Sequence, residues 1–187
     1  MFTNKFKGLV VSFLVSLFVL SGTAAADGNS AAPENFGSAE WAATHWPQAV
    51  RYLKYVSDED QRSKLLSVPA PLRPQVWNDF WQEAGPLKST DRNEFRRTYF
   101  ERIAYANSHY ETSLLEGWLS DRGEAYIRLG PPKVVEKLTM RAGGRDIRVW
   151  EYPTTHDLDL VFYDRTGLDD FRLLNPSAMV DEVYLRN

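Results

Sequence analysis

Apolar residues in the first half of the chain recur at the spacing of an α-helix. Two segments show this most clearly: Val76, Trp77, Phe80, Trp81 and Ala84 in one, and Phe95, Tyr99, Ile103, Ala106 and Tyr110 in the other. Such spacing places the apolar side chains along one face of a helix. Pro47 and the pair Ser57-Asp58 each precede a further segment, as residues that begin helices do. The pattern predicts a helical subdomain over residues 39–116.

The period changes from helical to alternating after residue 117. Alternation predicts strands over residues 125–129, 134–141, 146–152, 158–163 and 170–174. Short turns separate several of these segments, including Gly143-Gly144, which suits a tight hairpin. Consecutive strands joined by short turns form an antiparallel meander, so we expect an antiparallel sheet within residues 117–187. The fold class that follows is α+β, with an N-terminal helical layer packed on a C-terminal antiparallel β-meander.

The segment that joins the two halves reads GWLSDRGEAYIRLGPP, residues 117–132. Its residue types favour turning over catalysis: glycines permit unusual backbone angles, and a short polar side chain followed by glycine is typical of a turn. We expect a helix to end at the first glycine, a turn to follow, and the final glycine and proline to stop a strand. The residues assigned to this structural motif are Gly117, Trp118, Ser120, Asp121, Arg122, Gly123, Gly130 and Pro132.

These motif residues resemble the signature of the GWxTD domain family of exported bacterial proteins. The signature is similar to Gly-Trp-x-Thr-Asp-Arg-Gly, followed by Tyr-Ile and a Gly-x-Pro turn; Tyr126 and Ile127 match the middle part, and Ser120 replaces the usual threonine. Further matches extend the resemblance over about residues 95–175. The resemblance implies an exported α+β domain. It implies no reaction, because the family has no established activity or catalytic residues.

The first residues have the three parts of a secretory signal. Lys5 and Lys7 precede an apolar run that ends at Leu20, and small residues then form an Ala-x-Ala cleavage site before Asp27. We therefore predict a signal peptide over residues 1–26, a disordered leader over 27–38, and a periplasmic or extracellular location without a stable membrane span. An uncleaved anchor from Gly8 to Ala26 is the alternative. The chain has no cysteine, so a lipid anchor on a cysteine thiol is excluded.

Composition narrows the chemistry further. The formal net charge is −3, which disfavours nucleic acid as a partner. Without cysteine there are no disulfides, thiol nucleophiles or Cys-ligated zinc sites. His156, Asp157 and Asp159 do not converge on one face of a strand, and Asp164, Asp169 and Asp170 lack calcium-loop spacing. We therefore predict no metal and no cofactor, and expect these last three aspartates to be the solvated ends of a hairpin.

The aromatic residues of the helical half leave two interpretations open. They form the core, or some stay exposed and bind a partner. If a binding patch exists, its predicted anchors are Trp41, Trp46, Trp77 and Trp81. We expect a non-catalytic extracytoplasmic interaction domain, an accessory subunit of an envelope or secreted complex, that docks another protein through these aromatics or through an exposed edge strand. The oligomeric state is left open.

Two alternatives to the interaction domain remain at this point. The first is a hydrolase of an envelope polymer, with Asp121, His156 and Asp164 as its acid and base groups. The second is a carbohydrate-binding module that uses the tryptophans.

Overall fold

The computed structural model describes residues 32–84, 92–139, 145–152, 158–176 and 179, and the predicted signal peptide lies outside them. Within the described chain, α-helices occupy the N-terminal part. Their bounds are Ala39–Thr44 (α1), Trp46–Tyr52 (α2), Glu59–Leu66 (α3), Arg73–Ala84 (α4), Arg92–Tyr110 (α5) and Asp121–Leu129 (α6). Short 3-10 helices occupy Leu53–Tyr55, Ala70–Leu72 and Gly117–Leu119. As predicted, Asp58 caps α3, and its side chain takes part in a capping box with Gln61.

Four strands follow the helices and form one sheet. They are Val134–Thr139 (β1), Asp146–Tyr152 (β2), Leu158–Asp164 (β3) and Phe171–Leu173 (β4). Each strand pairs antiparallel with the next, in the order β1-β2-β3-β4. The α+β fold class and the meander are therefore confirmed. Gly143 and Gly144, the predicted hairpin turn, lie outside the described residues.

The prediction of a strand over residues 125–129 was wrong, because this segment belongs to helix α6. The side chain of Ser120 accepts the backbone N–H of Gly123 and so begins the helix. Burial along α6 alternates, with Gly123, Ala125, Ile127 and Leu129 buried, which explains the strand-like pattern. Residues two apart point in nearly opposite directions on a helix. Helix α6 therefore buries two opposite faces, and it contacts α5 and the Gly117–Leu119 turn as well as β4.

The folded region begins earlier than the prediction placed it. Within the predicted disordered leader, residues 34–37 form a turn, and the Phe36 ring contacts the rings of Trp41, Tyr52 and Phe100 at 4.7–5.6 Å between centroids. Phe36 thereby covers the edge of the helical core. The predicted boundary at residue 117 also moves, since α6 follows it and the sheet begins at Val134.

Helix α5 is shared by the two parts of the hydrophobic core. Toward its start, Tyr99 and Phe100 pack with tryptophans of α1 and α4. At its end, Tyr110 contacts Trp150 of β2 at 5.4 Å, and Trp150 contacts Phe162 of β3 at 4.9 Å. The inner face of the sheet thus packs on the end of α5 and on α6.

Among the helices of the described residues, none is both long enough and apolar enough to cross a bilayer.

The capping hydroxyl of Ser120 provides the first test of this fold. Ser120 is buried, and its hydroxyl also donates to the Gly117 carbonyl at 2.7 Å. We expect Ser120→Ala to lower the free energy of unfolding by about 1–2 kcal/mol, whereas Ser120→Thr keeps the hydroxyl and most of the stability. Urea denaturation followed by circular dichroism measures both changes. Equal loss in the two variants would show that the hydroxyl does not cap α6.

Candidate functional site

Gly117 lies against helix α5, and this contact explains why it is glycine. A Cβ at this position would overlap the carbonyl oxygen of Ala106, and it would come within 2.8 Å of the Asn107 Cα. The prediction that a helix ends at Gly117 was wrong, because α5 ends at Tyr110. Gly117 does not have a positive φ either. Glycine is required here because the backbone at Gly117 and the backbone of α5 lie too close together for a side chain to fit between them.

Trp118 connects the motif to the helices on both sides. Its backbone N–H donates to the Asn107 side chain of α5 at 3.0 Å, and its carbonyl accepts the Tyr55 hydroxyl at 2.9 Å. The buried indole ring contacts the Tyr52 ring at 5.0 Å. Its N–H donates to Glu116, and this bond, together with Arg51, holds the pKa of Glu116 below its ordinary value. Every polar group of Trp118 is therefore used within the fold.

Asp121 joins α6 to the far edge of the sheet. Its carboxylate accepts the backbone N–H of Leu173 at 2.8 Å and faces the Arg172 guanidinium at 3.4 Å. The backbone N–H at the start of α6 is accepted by Ser120 and not by Asp121. The carboxylate thus accepts a backbone N–H of β4 from a residue 52 positions away in the sequence. This bond fixes the sheet against α6.

Arg122 packs between aromatic rings. Its guanidinium lies 4.2 Å from the centroid of Phe171 and 5.1 Å from that of Tyr110, and it donates to the Asp169 carbonyl at 3.1 Å. Burial lowers the pKa of Arg122 from its ordinary value, but arginine stays charged at physiological pH. The side chain holds the end of α5 and the turn before β4 together.

The remaining motif residues shape the two ends of α6. A Cβ at Gly123 would overlap the Gly117 carbonyl oxygen. Gly130 ends the helix with φ +87°, and its carbonyl accepts the Tyr152 hydroxyl of β2 at 3.1 Å. Pro132 follows, half-buried, two residues before β1. Gly130 and Pro132 therefore lead from a helix into the sheet, whereas we had predicted that they stop a strand.

The four tryptophans proposed as partner anchors are core residues. Their exposed fractions are 6% for Trp41, 1% for Trp46, 0% for Trp77 and 2% for Trp81. The indole N–H of Trp46 donates to the Leu65 carbonyl, and that of Trp77 to the Gly37 carbonyl. All four side chains lie in the hydrophobic core. These positions therefore do not form the exposed aromatic surface that docking or sugar stacking requires.

Two of the three aspartates around the turn between β3 and β4 are buried, although we had expected solvated ends; the third, Asp169, is exposed as expected. Asp164 and Asp170 are each 5% exposed. Burial would raise the pKa of Asp164, but backbone N–H groups of Gly167, Asp169 and Thr166 donate to its carboxylate and bring the pKa below its ordinary value. Asp170 pairs with Arg165 at 2.8 Å and with Arg172 at 3.1 Å.

The acid and base groups of the hydrolase hypothesis are not brought together by these contacts. Asp121 and Asp164 accept backbone N–H groups of different segments, and His156 lies outside the described residues. Within the described ranges, no group of three or more histidine and carboxylate side chains could hold a metal ion.

A shallow hollow of about 410 Å³ lies beside the N-terminal turn. Its polar rim includes Gln48 and Asn107, but Gln48 donates to the Tyr52 hydroxyl and Asn107 accepts the N–H of Trp118. The indole of Trp41, on which a ligand would stack, is covered by the parallel ring of His45 at 4.9 Å. The rim groups thus serve the packing of α2 and α5.

Strand β1 is the most exposed regular element of the sheet. All six of its residues, Val134–Thr139, are exposed, and in the described chain it pairs with β2 alone. The exposed fractions of Val134, Val135 and Leu138 are 40%, 45% and 49%. Sequence reasoning named an edge strand as a docking element without naming these residues. The signal that identifies them is the order of the meander, because its first strand lies at an edge.

We expect Gly117→Ala to lower the free energy of unfolding by about 3 kcal/mol or more, because the new methyl group overlaps backbone rather than a flexible side chain. Gly167→Ala is the matched control: its φ is +79° but no atom lies within 4 Å of the added Cβ, so the cost is about 1 kcal/mol. Urea denaturation measures both. A Gly117→Ala loss no larger than the control would contradict the close approach.

The bonds to Asp164 predict acid sensitivity. Because its folded pKa is lowered, the stabilisation is complete above the unfolded pKa of about 3.9 and is lost as pH falls through the folded value. Asp164→Asn should be less stable at neutral pH, and its stability should change less below about pH 4 than that of the wild type. Chemical denaturation at a series of pH values tests this; parallel pH profiles would contradict it.

Comparison with known proteins agrees with the motif. The family model for the GWxTD domain matches residues 31–175, which extends the resemblance from α5 back to the N-terminal turn. Searches of curated proteins and of solved structures each returned no match. The match covers most of the chain and includes α1–α6 and the four strands. The chain therefore belongs to the GWxTD domain family.

Proposed function

We propose that this protein is a non-catalytic interaction domain that docks a protein partner along strand β1, as an accessory subunit of an envelope or secreted complex. The observation that carries the proposal is the exposure of β1 along its whole length. In an antiparallel pair, alternate backbone N–H and C=O groups point away from the partner strand. On β1 these groups face a side where the described residues supply no further strand.

The side chains of β1 also favour docking. Proteins protect long edge strands with proline, with charged side chains, especially lysine, or with a covering element. Strand β1 reads VVEKLT, which contains no proline and, beside the charged pair Glu136 and Lys137, three exposed apolar residues. An edge with these properties can accept an extended segment as an additional strand, a common mode of peptide recognition.

The use of the motif residues supports a non-catalytic role. Asp121 and Trp118 bond to groups of other elements, and Ser120 caps α6. Groups that hold a fold in this way are not poised to exchange protons with a substrate. The conspicuous residues of the sequence are accounted for by assembly of the domain.

The proposal of an exported complex is supported by the first residues of the sequence. Residues 1–26 have the pattern of a signal peptide. Cell fractionation with N-terminal sequencing of the isolated protein tests this part. Recovery from the cytoplasm with residues 1–26 intact would contradict it.

Site-specific cross-linking tests docking on β1. A photo-cross-linking amino acid is placed at Lys137 of β1, and, as the matched control, at Lys64 of α3; both positions are exposed. We expect a discrete adduct with another protein in the exporting cell from position 137 and none from position 64. Leu138→Lys, combined with the cross-linker at 137, should reduce the adduct at least fivefold without changing the melting temperature. The same adducts from both positions, or none from 137, would contradict the proposal.

A further inference from the structure

One face of the sheet points away from the helices. The register of the strands places three residues from each of β1, β2 and β3 on this outer face. They are Val134, Glu136 and Leu138; Ile147, Val149 and Glu151; and Asp159, Val161 and Tyr163. The opposite face carries Trp150, Leu160 and Phe162, which are buried. Over the described residues, the apolar side chains of the outer face do not pack against the hydrophobic core.

Three carboxylates lie at one end of the outer face. Glu151 is directly opposite Asp159 across β2 and β3, and Glu136 is diagonal to Glu151 across β1 and β2. Like charges placed directly opposite on a sheet destabilise it. In the described structure, the side chains of Glu136, Glu151 and Asp159 have no hydrogen-bond or ion-pair partner. This arrangement of carboxylates therefore does not stabilise the fold.

The positive charges near the other end of the outer face are already engaged. Arg145 donates to the Tyr163 hydroxyl at 3.2 Å, and Arg172 pairs with Asp170 and Asp121. They do not neutralise the three carboxylates.

Lys137 of β1 lies on the opposite face of the sheet, and Lys133, directly before β1, forms no ion pair with these carboxylates in the described residues. The outer face itself is therefore acidic at its Val134 end, which lies beside the unpaired edge of β1.

From this charge pattern we infer that the partner segment is cationic: an extended strand whose lysine or arginine side chains face Glu136 and Glu151, and whose apolar side chains face Leu138. The inference rests on the proposed docking along β1. It deepens that proposal by stating which chemistry the edge strand selects.

Strand spacing decides which carboxylates make contact. Neighbouring strands lie about 4.8 Å apart, so a basic side chain on a fifth strand contacts Glu136 on β1 directly. A long lysine or arginine side chain reaches Glu151 on β2 by crossing the small side chain of Val134. Asp159, three strands away at roughly 14 Å, acts only through its electric field, which is screened over about 8–10 Å at physiological salt.

Peptide binding followed by NMR tests the inference on the purified protein. The probe is a peptide with blocked ends, Arg-Thr-Lys-Thr-Val-Thr, in which both basic residues and the valine share one face of an extended strand, and its counterpart carries glutamate in place of both basic residues. We expect the cationic peptide to shift the backbone amide signals of β1, with an affinity at least tenfold above that of the anionic peptide. The difference should shrink as salt is added, because exposed ion pairs are screened.

Charge reversal on the protein provides the matched variants. Glu136→Lys/Glu151→Lys should weaken the cationic peptide about tenfold and strengthen the anionic one. Glu59→Lys/Glu83→Lys changes the net charge equally on exposed helix positions, and it should leave both affinities within about twofold of the wild type.

The outcomes separate this inference from the proposed function. Equal binding of both peptides at β1, or an adduct from position 137 formed with an acidic segment of the partner, would overturn the cationic partner and leave docking on β1 standing. Failure of the cross-link at position 137 would instead overturn the proposed function. Equal effects of the two charge-reversal variants would show that only net charge matters, and this would also overturn the inference.

Discussion

The fold depends on a contact between two backbones, where Gly117 lies against Ala106 of helix α5. No side chain larger than hydrogen fits there. The contact holds the turn that carries Trp118 and the start of α6 against the helix that serves both parts of the core. Gly123 makes a second close backbone contact, because it lies against the Gly117 carbonyl oxygen. Two glycines thus set how closely the Gly117–Leu119 turn approaches α5 and how closely α6 approaches that turn.

Polar side chains of the same segment then fix the orientation of α6 relative to the sheet. Asp121 accepts a backbone N–H from β4, and Arg122 packs on Phe171 at the start of that strand. Trp118 bonds to α5 and contacts the ring of Tyr52 in α2. The motif that draws attention in the sequence is therefore the place where helices and sheet join. Recognition, in our proposal, falls to surfaces that the motif does not include: the edge strand β1 and the outer face of the sheet.

Much of this architecture could be predicted because its signals are local. The spacing of Phe95 to Tyr110 predicts α5, and the alternation around Trp150 and Phe162 predicts β2 and β3. Helix α6 was missed because burial on two opposite faces produces the alternation of a strand. The burial of the four tryptophans and the contact of Asp121 with Leu173 depend on tertiary packing. No local sequence pattern indicates such packing. The acidic end of the outer face likewise emerges only from strand register.

The central claim is that the GWxTD motif builds the domain and that β1 recognises its partner. Trp118→Ala tests it directly, measured by thermal denaturation and by cross-linking from position 137 at a temperature where the variant is folded. The account predicts a fall in melting temperature of about 10 °C or more, from the loss of a large buried side chain, with an undiminished adduct. An unchanged melting temperature together with a lost adduct would contradict it.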